Sequence, residues 1–336
     1  MGLGRYVGKK ALWYGGAMLA AIVLNFILPR LVPGNPVDTI VSSLARGGSV
    51  TADQQQQIYA SFVSQFGLNK PLWQQFFIYL NNIVHGSLGV SFSAYPVSVN
   101  HLVGQAIPWT LAIQLPSIII GWIIGNALGA IAAFKGGRWD SGAFTSSLFL
   151  SAMPYYCLSI ILLYFLALKA GVFPVGGAYS YGLSPGFNMQ FITDALHYYW
   201  LPFLSLVLVI IGGQAVGMRS MAIYELGSDY VNFSRGLGVG QGKIVGYIFH
   251  NAMLPQITGL ALSIGTMVGG ALITELVFNY PGMGTLLFNA ISSNDYPVIQ
   301  SITLIITVVV LLANFAVEVV YGIVDPRIRA AKTGEK

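Results

Sequence analysis

Six stretches of this 336-residue chain are long and apolar enough to cross a bilayer: Ala11 to Leu28, Thr110 to Phe134, Phe144 to Leu168, Trp200 to Val216, Ile257 to Val277 and Ile302 to Ile323. A hydrocarbon core about 30 Å thick takes about 20 apolar residues per helix and leaves no backbone polar group unbonded, so runs of this length select a bundle of helices. Only 8% of residues are charged against 55% hydrophobic, far from the balance of a soluble domain. Arg5, Lys9 and Lys10 precede the first stretch as they precede a signal peptide. No small-residue cleavage site follows, however, and Asn25, Pro29 and Arg30 end the run, so an uncleaved first helix is expected.

The cations set an orientation. With the N-terminus in the cytoplasm, twelve basic residues fall inside, namely Arg5, Lys9, Lys10, Lys135, Arg138, Arg219, Arg235, Lys243, Arg327, Arg329, Lys332 and Lys336. Only four, Arg30, Arg46, Lys70 and Lys169, fall outside. The positive-inside rule therefore predicts N-in, C-in, and the net charge of +5 reads as topology rather than as nucleic-acid binding. The one cysteine, Cys157, lies within the third stretch, can form no internal disulfide and is read as packing.

Outside the spans the largest piece, Leu31 to Pro108, carries helical patterning. Thr51 with Gln54 fits a capping box, Ile58, Phe62 and Phe66 recur every four residues, and Gly67 stops the run. A second amphipathic helix is expected from Pro71 to about His85, with Leu72, Trp73, Phe76, Phe77, Leu80, Ile83 and Val84 in one stripe and Gly86 as terminator. Gly171 to Tyr199 reads as a surface loop, and Phe278 to Gln300 as a turn at Tyr280, Pro281 and Gly282 followed by a short re-entrant or interfacial helix.

Enzyme chemistry finds no foothold. There is no helical His-Glu-x-x-His, no Ser and His pair within spans and no expected metal site. Gly236, Gly238, Gly240, Gly242 and Lys243 imitate a phosphate loop, but Leu237 stands where that motif needs Gly and Ile244 where it needs Ser or Thr. Two carboxylates lie in spans, Glu275 and Glu318, each open to a functional reading or to a structural one. Gln114, Asn126, Gln214, Glu275 and Asn314 are the candidates for lining a path, with interhelical bonding as the alternative. Pro116 and Pro154 are candidate kinks. A secondary carrier stays open as a second class, weakened because the four histidines sit in loops or span edges rather than in a relay.

The most informative interruption is the 38-residue segment Met218 to Pro255. Its Asp229, Tyr230, Val231, Asn232, Phe233, Ser234, Arg235, Gly236, Leu237, Gly238 and Val239, closing on His250, Asn251, Ala252, Met253, Leu254 and Pro255, resemble the EAA loop of binding-protein-dependent ABC import permeases of the peptide/nickel type. Other segments are similar to the same family: Pro33 to Pro36, Thr274 to Leu287 with Pro281-Gly282-x-Gly284, Asp295-Tyr296-Pro297 with Gln300, and Asp325 to Arg329. Leu237 departs from the family's usual Lys, and only Lys243 stands where relatives are strongly basic.

The resemblance implies an all-α, polytopic cell-membrane protein with the transmembrane domain of a type I ABC importer. Residues 1–30 would hold the cytoplasmic N-terminus and first helix, 31–109 an external helical region, 110–323 the permease core with a coupling loop at 218–255, and 324–336 a cytoplasmic tail. It further implies a non-catalytic subunit that pairs with a second homologous permease, two ATP-binding subunits and an external substrate-binding protein. ATP and Mg would be bound by the partner ATPases, with no cofactor in this chain. Asp229, Tyr230, Phe233, Ser234, Arg235 and Gly238 would form the ATPase-coupling helix, with Tyr230 and Phe233 as aromatic anchors. Tyr280, Pro281 and Gly282 would face the binding protein. Members of the family import oligopeptides, nickel or oligosaccharides, and those three substrates remain open at this point.

Overall fold

In the computed structural model, residues 3–31, 52–65, 67–270 and 272–324 are described. The Pro33 to Pro36 segment, Thr51 with its expected cap, Phe66 and the Asp325 to Arg329 signature lie outside the described residues. The described regular structure is helical, save one isolated bridge between Val90 and Ser98. In chain order the helices are α1 (Leu3–Ile27), ending in a 3-10 turn Leu28–Leu31, α2 (Ala52–Gln65), α3 (Leu72–Val84), α4 (Val99–Lys135), α5 (Gly137–Ala152) and α6 (Tyr155–Leu162). After the π-helical continuation Leu163–Lys169 come α7 (Met189–Leu226), α8 (Asp229–Gly236), α9 (Gln241–Gly270), α10 (Leu272–Val277), α11 (Met283–Ser292) and α12 (Tyr296–Val324).

Four of these, α1, α4, α7 and α12, are long and apolar enough to cross a bilayer, or five spans if the pair α5 and α6 counts as one. Of the six expected spans, the first, second, fourth and sixth fall in these four helices. Ile257 to Val277 falls in α9 and α10, with Ala271 outside the described residues. The third stretch breaks by 99° between Ala152 and Tyr155. Proline explains the break, because the ring crowds the preceding residue out of the helical region: Met153 is extended at φ −84°, ψ 125°, and Pro154 follows at φ −60°, ψ 142°. Pro116, the other expected kink, lies inside an uninterrupted α4.

The chain forms two compact units, one of Met1–Trp109, Gly282–Phe315 and Val319–Lys336, the other of Thr110–Pro281 and Ala316–Glu318. In the first, α3 is stopped at Gly86 (φ 70°) as expected, and Gly67 (φ 64°) follows α2. α3 lies against α1 through Phe76 on Phe26, with ring centroids 5.1 Å apart, and through Tyr79, whose hydroxyl accepts from Asn25 at 2.9 Å. Burial raises the Tyr79 phenol above its ordinary pKa. Asn25 also donates to the Gln300 carbonyl at 2.7 Å, and Gln300 returns a bond to the Phe26 carbonyl at 3.3 Å. The fully buried Asp295 immediately precedes α12 and gathers Ser91 Oγ, Ser93 N and Ser93 Oγ at 2.5, 2.9 and 2.8 Å. The Asp-Tyr-Pro-x-x-Gln segment therefore works as a structural tie, a helix cap and an interhelical bond at once.

In the second unit α7 is central, with α5, α6 and α9 packed on it. Its approach to α4 is set by three glycines four residues apart. A Cβ on Gly121 would lie 2.6 Å from Ile210 Cγ2, one on Gly125 2.6 Å from Gln214 Cβ, and one on Gly129 2.3 Å from the Ala215 carbonyl. Apolar side chains gain little by leaving lipid for one another, so close backbone contact through small residues is what binds membrane helices. Gly212 plays the same part toward α5, where a Cβ would meet Ser147 O at 2.7 Å.

Candidate functional site: a short helix clamped between two long ones

The polar segment Met218 to Pro255 is almost wholly helical, because α7 runs on to Leu226 and α9 begins at Gln241. Only α8 and its flanking turns remain between them. Asp229 opens α8, where a carboxylate favours the positive end of the helix dipole, and Arg235 stands in its last turn. The helix ends in a full Schellman motif: Gly238 at φ 73° donates to the Arg235 carbonyl at 3.0 Å, and Val239 donates to Ser234 at 3.1 Å. Gly238 is thus required by backbone conformation.

One residue fastens α8. Val231 is 0% exposed and joins Ala130, Met218, Ala222, Ile244, Ile248 and Ala252 in a single apolar cluster, drawn from α4, α7 and α9. Tyr230 packs against the same cluster and its hydroxyl donates to Glu225 Oε2 at 2.8 Å. Burial and that bond to Glu225 push the phenol above its ordinary pKa. Tyr230 is therefore half-buried against that cluster. Phe233 is 69% exposed and so is Leu237, four residues on, at 66%. Ser234 is half-buried and Arg235 exposed. The outward face of α8 is an aromatic and aliphatic pair beside one guanidinium.

Below this assembly Arg219 on α7 holds Asp140 on α5 by two parallel bonds, Nε to Oδ1 and Nη2 to Oδ2, both 2.5 Å. Its guanidinium also lies 4.2 Å from the centroid of Phe144. Such a fork fixes orientation as well as proximity.

The path candidates are distributed. Gln114 and Gln214 line one cavity of about 240 Å³ between α4, α5, α6, α7 and α9. Asn126 lines a different one with Trp122, Phe249 and Met253, and its Nδ2 is spent on the Trp122 carbonyl at 2.8 Å. Glu275 is 1% exposed within α10, and Asn314 lies half-buried on α12. Of the turn expected to face a binding protein, Tyr280 is 2% exposed, with its N–H donating to the Glu275 carbonyl at 2.8 Å. The tight turn after α10 folds the ring inward. Gly282 is buried as well, and Pro281 is exposed. Among the described residues no group of His, Cys, Asp and Glu is placed to hold a metal.

Residues 125–330 match the family model described as binding-protein-dependent transport system inner membrane component. A di/tripeptide transport system permease protein of Pseudomonas aeruginosa is 33% identical over 322 residues, covering 91% of this chain and 93% of its own length. An oligopeptide transport system permease protein of Bacillus subtilis is 30% identical over 325 residues, 96% of this chain and 98% of that protein. A glutathione transport system permease protein of Escherichia coli O6:H1 is 30% identical over 326 residues, with the same coverage of 96% and 98%.

Proposed function

The chain belongs to the family of binding-protein-dependent transport system inner membrane components, and from that premise we propose that it forms, with a second homologous permease, the path by which an ABC importer passes oligopeptides into the cell. It is a multi-pass membrane subunit of such a transport system. Peptides are the cargo favoured over oligosaccharides and nickel, because the similar permeases serve di/tripeptides, oligopeptides and glutathione. In this reading the chain sits in the cytoplasmic membrane with six crossings and both termini inside, two partner ATPases bind ATP and Mg, and an external binding protein delivers the peptide.

The observation that carries the coupling role is the division of labour on α8. Val231 buries the inner side against three helices while Phe233 and Leu237 stand out on the other. A lever needs both a rigid attachment and an exposed grip, and aromatic side chains on a fixed element are the usual energetic centre of a docking surface. Leu237 in place of the family's usual Lys makes the grip more apolar, so the receiving groove on the ATPase is expected to be apolar too. Deleting Asp229 to Gly238 should abolish peptide uptake and binding-protein-stimulated ATP hydrolysis while leaving membrane insertion intact. Uptake that persists in the deletion, or uptake that collapses with the ion gradient and ignores loss of the ATPases, would sink the proposal in favour of a secondary carrier.

A further inference from the structure

The cavity of about 240 Å³ between α4, α5, α6, α7 and α9 has no charged side chain on its wall. It is slightly smaller than a site that encloses a whole small molecule, so it suits a segment of a longer ligand. Gln114 is 3% exposed, yet its Nε2 is buried with no hydrogen-bond partner among the described residues. An amide donor left in that condition costs about 1–3 kcal/mol, which a carbonyl placed opposite it removes.

The neighbouring donors are already engaged. Trp122 Nε1 donates to the Gln256 carbonyl at 2.9 Å, Ser117 Oγ to Ile113 at 2.7 Å and Ser151 Oγ to Leu148 at 2.9 Å. The Gln214 amide, Tyr155 and Ser263 complete the polar part of the wall. The wall therefore carries the side chain whose buried amide donor is uncompensated, a second amide and the hydroxyl residues Ser117, Ser151, Tyr155 and Ser263, all neutral. Resting on the reading of this chain as a peptide permease, we propose that Gln114, with Gln214, forms a charge-free rung that bonds the main-chain amides of the passing peptide. The permease then reads the backbone itself and leaves side-chain identity to the binding protein.

The test uses the whole importer in proteoliposomes and two probes, tetra-alanine and its analogue with the central amide replaced by an ester, a weaker acceptor that lacks the N–H. Wild type should take up tetra-alanine faster than the ester. Gln114→Leu should lower tetra-alanine uptake about 3- to 10-fold, the order that one neutral hydrogen bond contributes, and should bring the amide-to-ester ratio close to one. Gln114→Met gives the same comparison if the leucine variant fails to assemble. A variant that keeps the wild-type ratio, or a wild type that takes both probes equally, overturns the inference and leaves peptide import standing. A wild-type importer that moves neither probe overturns both.

Discussion

At the scale of single residues, burial assigns roles that residue type leaves open. Tyr230 and Phe233 are both aromatic and three positions apart, so a helical period puts them near one another; yet Tyr230 is drawn inward to Glu225 and Phe233 is left outside. Val231 between them is the attachment. Val231→Ala should cost about 1–3 kcal/mol, measured as a fall in the unfolding temperature in detergent, because truncating a fully buried side chain loses its transfer energy and leaves a void. Phe233→Ser, by contrast, should leave that temperature unchanged and reduce uptake. The Arg219 and Asp140 fork makes a second test. Arg219→Gln and Asp140→Asn should each destabilise the fold, and a double-mutant cycle should return a coupling of about 1–2 kcal/mol, since paired charge-assisted bonds on a partly buried surface exceed an exposed ion pair.

At the scale of elements, the governing feature is backbone approach. Gly121, Gly125 and Gly129 repeat every four residues on α4 and let α7 come close enough that a methyl group on Gly129 would lie 2.3 Å from the Ala215 carbonyl. Gly129→Ala should therefore force α4 and α7 apart, costing about 1–3 kcal/mol of stability as overpacking does. Gly236→Ala on α8, where nothing lies within 4 Å, should stay within about 0.5 kcal/mol; thermal unfolding of the two variants side by side checks the contrast. The repeat is visible in the chain, but α4 carries one further glycine in no such role: Gly104 meets nothing within 4 Å. Which glycines seat a neighbouring helix depends on the face each presents. Proline behaves alike. Pro154 breaks its stretch by 99° while Pro116 rides inside α4, and the difference lies in whether the preceding residue leaves the helical region.

At the scale of the whole molecule, the proposed orientation is open to direct measurement. In a Cys157→Ala background, a cysteine at position 236 should react with a membrane-impermeant maleimide in inside-out vesicles and resist it in right-side-out ones; the opposite pattern would reverse the topology. Much of the molecule was legible beforehand. Mean hydropathy of +0.70 and long apolar runs require helices in a bilayer, since lipid offers the backbone no other partner. The start of α8 at Asp229, its exit at Gly238 and the stop of α3 at Gly86 followed from local chemistry, because caps and left-handed turns are decided within a few residues. The break at Met153 was legible in Pro154, but the burial of Tyr280, the tie made by Asp295, and the packing that leaves Gln114 Nε2 without a partner among the described residues were not written there. Each depends on which helix lies opposite, and in a chain so uniformly apolar nearly every face could be buried. The sequence by itself determined that the chain crosses the membrane and carries a short polar helix between two long ones; only tertiary packing decided which side chains that helix buries and which it leaves exposed.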